Sequence, residues 1–299
     1  MILKEQELAK QYISIIRLFE HLAIDYNNEI VLSRVKKQLS IEFDFASTGF
    51  IELEGYTYNK ADVFEELDNP HFTIRLPYHV RIWKNKLILM ILEDNHVNLL
   101  EINKAIEEFI SDEVFDYHFC GYFAAPFNNI SRNFINHLQL DNLGEWLRYE
   151  DFILIQDREE AFRSIRQYLD ETIRNLKNIS TDNYHLFRDK IKEWVTPGWY
   201  RFMNNLPDDF YEQKNEVVHY LINLTVKIQH KSREESKQIS SDLVELTNIR
   251  SNLMETIHSN DAIYNGSSTI SERKLTFKGW IWVVIVIIRV LLIGMHGCN

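Results

Sequence analysis

The chain has 299 residues, 45% of them hydrophobic and 26% charged, which excludes general disorder and allows a sizeable core without disulfide staples. A formal net charge of -11 excludes a protein whose main task is gripping phosphate backbones, since that requires clustered Lys and Arg; nucleic acid is not an expected partner. With only two cysteines, Cys120 and Cys298, a disulfide framework is excluded as well.

Scarce Gly (9) and Pro (5) favour long regular elements, so the predicted fold class is mostly α, of the α+β type, with one small antiparallel β element near residues 40–125. The acidic residues Glu5 and Glu7 stand where a secretory signal would be basic, which predicts that no cleavable signal is present. Leu8, Tyr12, Ile15, Ile16, Phe19, Leu22 and Ile24 recur at spacings of three and four, predicting a helix over 5–25 with one buried face. A second, short helix runs through Val35.

Ser40 to Ala46 alternates apolar with polar, and Phe50 to Tyr58 resumes the alternation after Thr48-Gly49, which predicts two strands joined by a tight turn. Asn59 caps a short helix reaching Leu67, and residues 71–83 and 86–92 read as extended or mixed apolar runs. Helical patterns follow from Asn98 through Phe109 and over 129–139, 143–149, 158–178 and 184–194. Thr196-Pro197-Gly198 is a break, and residues 1–206 form one soluble, mostly helical domain.

No Gly or Pro lies between Pro207 and Gly266, so a single helix of roughly fifty residues is allowed over 207–258. Within it Ile239, Leu243, Leu246, Leu253 and Ile257 recur at steps near 3.5, interrupted by Arg250. That pattern predicts a coiled-coil stalk, either a homo-oligomer contact through residues 239–257 or packing on the same chain. Residues 259–276 read as a polar linker.

The segment 277–295 is the predicted transmembrane tail anchor, with nine consecutive apolar residues from Trp280 to Ile288. A bilayer core asks for roughly 20 apolar residues and about 17 at least, so the span is barely long enough. Arg289 would cost on the order of 3 kcal/mol at the bilayer centre, but it stands close enough to the polar end to snorkel. The other readings of Arg289 are a pore lining and an ion pair with a partner's acidic group. Arg273, Lys274 and Lys278 precede the span, and Trp280 and Trp282 suit an interfacial belt on the same side, so the large N-terminal domain is expected to be cytoplasmic. The lipid bilayer is then one partner and an unidentified protein the other.

Two motifs carry chemistry. Arg132-Asn133-Phe134-Ile135-Asn136-His137 resembles the signature of HEPN ribonucleases over six residues. The resemblance implies that Arg132 stabilises phosphate charge while His137 transfers a proton, at a site completed by two protomers. Asp116, His118 and Cys120 would share one face of an extended segment and are candidate zinc ligands, although three ligands at that spacing reach one metal only with distortion. No phosphate-binding glycine loop, nucleophile elbow or His-Glu-X-X-His occurs, and no cofactor or established metal or catalytic site is expected. The leading expectation is a non-enzymatic adaptor or scaffold at a membrane. The alternatives are a membrane-disrupting oligomer using Arg289 and a ribonuclease using Arg132 and His137.

Overall fold

The computed structural model describes residues 12–26, 31–46, 48–93 and 113–265, and over these it is mostly helical with one two-stranded sheet. Among the described residues the predicted helix over 5–25 is confined to α1, Ile15–His21, and it buries Ile15, Ile16, Arg17, Leu18 and Phe19 in succession rather than along one face. The left-handed backbone of Ala23 (φ 49°) turns the chain away after it.

Helix α2, Leu32–Phe45, corrects the first predicted strand. A strand over 40–46 would put Ile41, Phe43 and Phe45 on one face. Instead Val35, Leu39 and Phe43 form a buried stripe at steps of four while Ile41 and Phe45 face outward, so the helical period carries through the alternating stretch. The sheet is a hairpin further on, with β1 (Phe50–Leu53) and β2 (Tyr56–Asn59) antiparallel and Phe50 opposite Asn59. Its two-residue turn is Glu54-Gly55, not Thr48-Gly49. Both turn residues have positive φ, 52° and 86°, the combination that matches the twist of paired strands.

Helix α3 (Lys60–Asp68) starts as expected, with Asn59 Oδ1 accepting from the Ala61 amide at 2.8 Å. The runs expected to be extended or mixed are helices, α4 (Phe72–Lys84) and α5 (Lys86–Leu92). Pro77 stands inside α4 and costs it a backbone bond, which hides the helix from a local reading. Asn85 separates the two by capping α5, its Oδ1 accepting from the Leu87 and Ile88 amides.

Helix α6 (Glu113–Asn136) is the longest among the described residues, and α7 (Leu140–Trp146) follows, continued by a 3-10 segment, Leu147–Phe152. Next come α8 (Arg158–Ala161), α9 (Arg163–Asn178) and α10 (Arg188–Glu193). The predicted break at Thr196 begins α11 (Pro197–Asn204), where Thr196 Oγ1 accepts from the Trp199 amide at 3.2 Å and Pro197 opens the helix.

The predicted stalk is not one helix. It divides into α12 (Tyr211–Ile228), α13 (Arg233–Leu243) and α14 (Ser251–Asn265), which pack on one another. The second break is held by distant amides: Thr247 N donates to Asn204 Oδ1 at 2.8 Å and Arg250 N to Asn215 Oδ1 at 2.7 Å. Asn248 adopts φ 49° between them. Ile239, Leu243, Leu246 and Ile257 are buried in the chain's own core, so the apolar stripe is spent on folding back. Residues 259–265, expected as linker, continue α14.

Two apolar cores result. The smaller joins α1, α2, the hairpin, α3 and the start of α4 around Phe19, Phe43 and Phe72. The larger takes in α5 onward, with Phe127 stacked on Trp146 at 5.0 Å between ring centres and Phe162 edge-on to Phe127 at 5.8 Å. Within it α7 and α11 approach closely through Gly144 and Gly198; a Cβ on Gly144 would meet the Phe202 backbone nitrogen at 3.1 Å. Among the described residues no helix is long and apolar enough to cross a membrane. The expected helix from Asn98 through Phe109 and the segment 277–295, with Trp280, Trp282 and Arg289, lie outside the described residues.

Candidate functional site

The boundary between the two cores is polar and almost wholly enclosed. Arg17 of α1 forms a bidentate pair with Glu93, Nη1 to Oε1 at 2.7 Å and Nη2 to Oε2 at 2.9 Å, and also donates to the Tyr58 hydroxyl at 2.9 Å. Its Nε lies 3.2 Å from Glu54 Oε2, and its guanidinium sits 3.9 Å above the Tyr56 ring. Burial works against the Arg17 charge, but the hydrogen bonds to Glu93 and Tyr58 outweigh it and hold the group cationic. Burial pushes the Tyr58 hydroxyl up to about 12, with Arg17 opposing the shift.

Beside this pair lies a second constellation. His79 Nε2 is 3.4 Å from Glu66 Oε1, and the Tyr122 hydroxyl donates to Glu66 Oε2 at 3.0 Å. His118 meets His79 edge-on with 4.8 Å between ring centres, and Tyr12 stacks on His79 at 5.8 Å. Burial, with Glu66 nearby, pushes the hydroxyls of Tyr12 and Tyr122 well above the ordinary tyrosine range, so both stay protonated. A carboxylate next to an imidazole can exchange a proton, yet all five side chains are buried. The group ties α3 and α4 to α6 across the boundary between the cores.

The sequence candidates fall differently. His118 and Cys120 are buried on helix α6, which replaces the extended segment that the zinc reading required; the side chain of Asp116 lies outside the described residues. A helix rotates about 200° over two residues, so His118 does not share a face with position 116 or 120. Among the described residues no group of three His, Cys, Asp or Glu is placed to hold a metal. Arg132 and His137 are both exposed near the end of α6, where Arg132 Nη2 donates to Asn129 Oδ1 at 2.8 Å and His137 Nδ1 lies 2.9 Å from the Asn133 carbonyl. Their bearings on a helix differ by about 140°, so within one chain they do not converge. Glu66 and His79 were missed as a pair because only the tertiary fold brings α3 and α4 together there.

On the surface a cavity of about 500 Å³ runs along α11 beside the end of α13. It is lined by Tyr200, Arg201, Asn204 and Asn205 from the first and by Asp242 and Glu245 from the second, with Val195 and Pro197 forming an apolar wall.

The molecule is thus a two-core, mostly helical protein with a polar boundary layer and one acidic surface cavity described above. The chain matches no protein family model, no curated protein and no solved structure.

Proposed function

We propose that this chain is a membrane-anchored, non-enzymatic scaffold: a helical domain on the cytoplasmic side, held to the bilayer by a single span at 277–295, that concentrates a protein partner there. The observation that carries the reading is the nine-residue apolar run Trp280 to Ile288, preceded by Arg273, Lys274 and Lys278. Anchoring alone raises the effective concentration of whatever the domain binds, so no catalytic group is required. The helical domain supports the reading because its own apolar stripe, including the former stalk positions, is consumed internally and leaves a folded body through Asn265.

Fractionation tests it. The full chain should stay with membranes after alkaline carbonate washing, and a chain lacking 277–295 should move to the supernatant. Protease added outside sealed vesicles should then digest the domain if it faces the cytoplasmic side. A full chain recovered wholly in the aqueous fraction overturns the proposal.

Arg289, a lone charge beside the apolar run, favours one second reading, in which several spans assemble into a leak. Arg289→Leu should leave membrane targeting unchanged in either case and abolish ion conductance only in the second.

A further inference from the structure

We propose that the outward face of α2 docks on an anionic lipid surface, with Ile41 and Phe45 entering the interface and Arg34 and Lys37 meeting lipid phosphates.

Helix α2 has two faces of opposite chemistry. Val35, Leu39 and Phe43 hold it to the smaller core. At about 3.6 residues per turn, Arg34, Lys37, Gln38, Ile41 and Phe45 fall on the other side in steps of three and four, and all five are exposed. Ile41 is 46% exposed and Phe45 is 82% exposed. Gln38 is engaged, its Nε2 donating to the Leu22 carbonyl at 3.0 Å. What remains is a pair of apolar side chains at the C-terminal end of the face and a pair of cations nearer its start.

The charges select the occupant. The whole chain carries a net charge of -11, yet this face contains no carboxylate. Arg34 and Lys37 form no ion pair among the described residues. The acidic residues of α2 that border the face have cationic or imidazole neighbours: Lys60 Nζ lies 2.7 Å from Asp44 Oδ1, and His21 Nε2 lies 4.0 Å from Glu42 Oε1. Unpaired cations beside exposed apolar groups complement a phosphate layer over hydrocarbon. The negative charge on the rest of the chain opposes such a contact only weakly beyond a Debye length of about 8 Å at physiological salt.

Shape favours the same occupant. Phe45 projects into solvent instead of lining a groove, so a protein partner would need a pocket shaped for its ring, whereas a lipid interface deforms around it. The stems of Arg34 and Lys37 can lie along apolar surface while their heads reach phosphates. A second copy of the face is a poor match. It would press these cations against cations or against Ile41 and Phe45, with no carboxylate in the face to answer them. The contact goes beyond the proposed span at 277–295, because it requires only exposed residues of the helical domain.

The test is hydrogen exchange read by mass spectrometry on the full chain, incubated with phosphatidylcholine vesicles that contain or lack phosphatidylserine. Phosphatidylserine should slow exchange of the α2 amides from Lys37 to Phe45 by roughly tenfold, within what two cations at an anionic surface supply, and leave those of α9 and α12 unchanged. Salt at about 1 M should remove the effect. Phe45→Ser, and Arg34→Gln combined with Lys37→Gln, should each abolish most of the slowing with unchanged helicity by circular dichroism. All three positions are exposed, so these substitutions do not threaten folding.

Equal exchange on the two kinds of vesicle overturns the proposal, and so does slowing that both variants retain. Equal slowing by poly-glutamate in place of vesicles would assign the face to an acidic polypeptide, and slowing that grows with protein concentration without vesicles would assign it to a second copy; either result overturns docking on lipid. Alkaline carbonate washing reads the span separately. A chain that washes off yet shows slowing dependent on phosphatidylserine refutes the span and keeps the docking face, and the opposite pair of results does the reverse.

Discussion

Arg17 and Glu93, 76 residues apart in sequence, form a two-point ion pair between side chains that are 8% and 6% exposed. In that position a charge without its partner is far more costly than the pair is beneficial. Arg17→Met should therefore lower unfolding stability by about 3–5 kcal/mol, because Glu93 loses its bidentate cation. Arg17→Lys keeps the charge but not the fork and should fall between. The double change Arg17→Met with Glu93→Leu should regain a substantial part of the loss. Urea midpoints at constant slope report these variants together with Glu93→Leu alone, and a double-variant loss equal to the sum of the two single losses would show that the two residues are not energetically coupled.

Phe43 and Phe45 separate the helical from the extended reading of this segment, since Phe43 is 2% exposed and Phe45 is 82% exposed. Phe43→Ala should cost about 3–5 kcal/mol, the usual range for a buried aromatic. Phe45→Ala should change stability by less than about 0.5 kcal/mol. Comparable losses at both positions would restore the strand.

What could be read from the sequence followed from whether local signals agreed with tertiary ones. The Asn59 cap is local chemistry and stands in the fold as expected, and the break at Thr196 is present, with Pro197 opening the next helix. The one-faced helix over 5–25 does not stand as expected among the described residues, because α1 is short and buries five successive residues. The strand over 40–46 failed because Ile41 and Phe45 are apolar yet exposed, so the alternation carried no burial information. The single long helix failed for a different reason. Its break at Thr247 to Arg250 contains no Gly or Pro and is held by Asn204 and Asn215, whose nearness is a product of the fold. The cavity was illegible for the same cause, since Tyr200 and Asp242 come together only once α13 folds back against α11.

Gly144 and Gly198 lie on facing helices but differ in what a methyl group would strike. A Cβ on Gly144 meets backbone atoms of Arg201 and Phe202 at 3.1–3.2 Å, whereas one on Gly198 meets chiefly the side chain of Asp141 at 3.0 Å. Backbone within a packed helix cannot step aside, and overpacking costs about 1–3 kcal/mol. Replacing a helical glycine returns up to about 1 kcal/mol. Gly144→Ala should therefore lower the melting temperature, and Gly198→Ala should lower it less, as the half-exposed Asp141 side chain can move. A larger loss at Gly198 would contradict this account of the α7–α11 approach.

Lys214 in α12 is 2% exposed, and its Nζ has no hydrogen-bond partner among the described residues. Burial pushes its ammonium down to about 8 from an ordinary value of 10.5. Between those two values the unfolded chain binds more protons than the folded one, so this group makes stability rise with pH across that window. Below about pH 8 the folded state carries the whole cost of the buried charge, about 3 kcal/mol by linkage. Lys214→Met should therefore melt at a higher temperature than the natural chain at pH 7. The buried tyrosines confound absolute stability at high pH, because a raised hydroxyl stabilises the fold below about pH 10 and loses that contribution above it. Both chains share those tyrosines, so the difference in melting temperature isolates Lys214. That difference should be constant below pH 8 and shrink steadily toward pH 10.5; a difference independent of pH would mean that Lys214 reaches water in the folded protein.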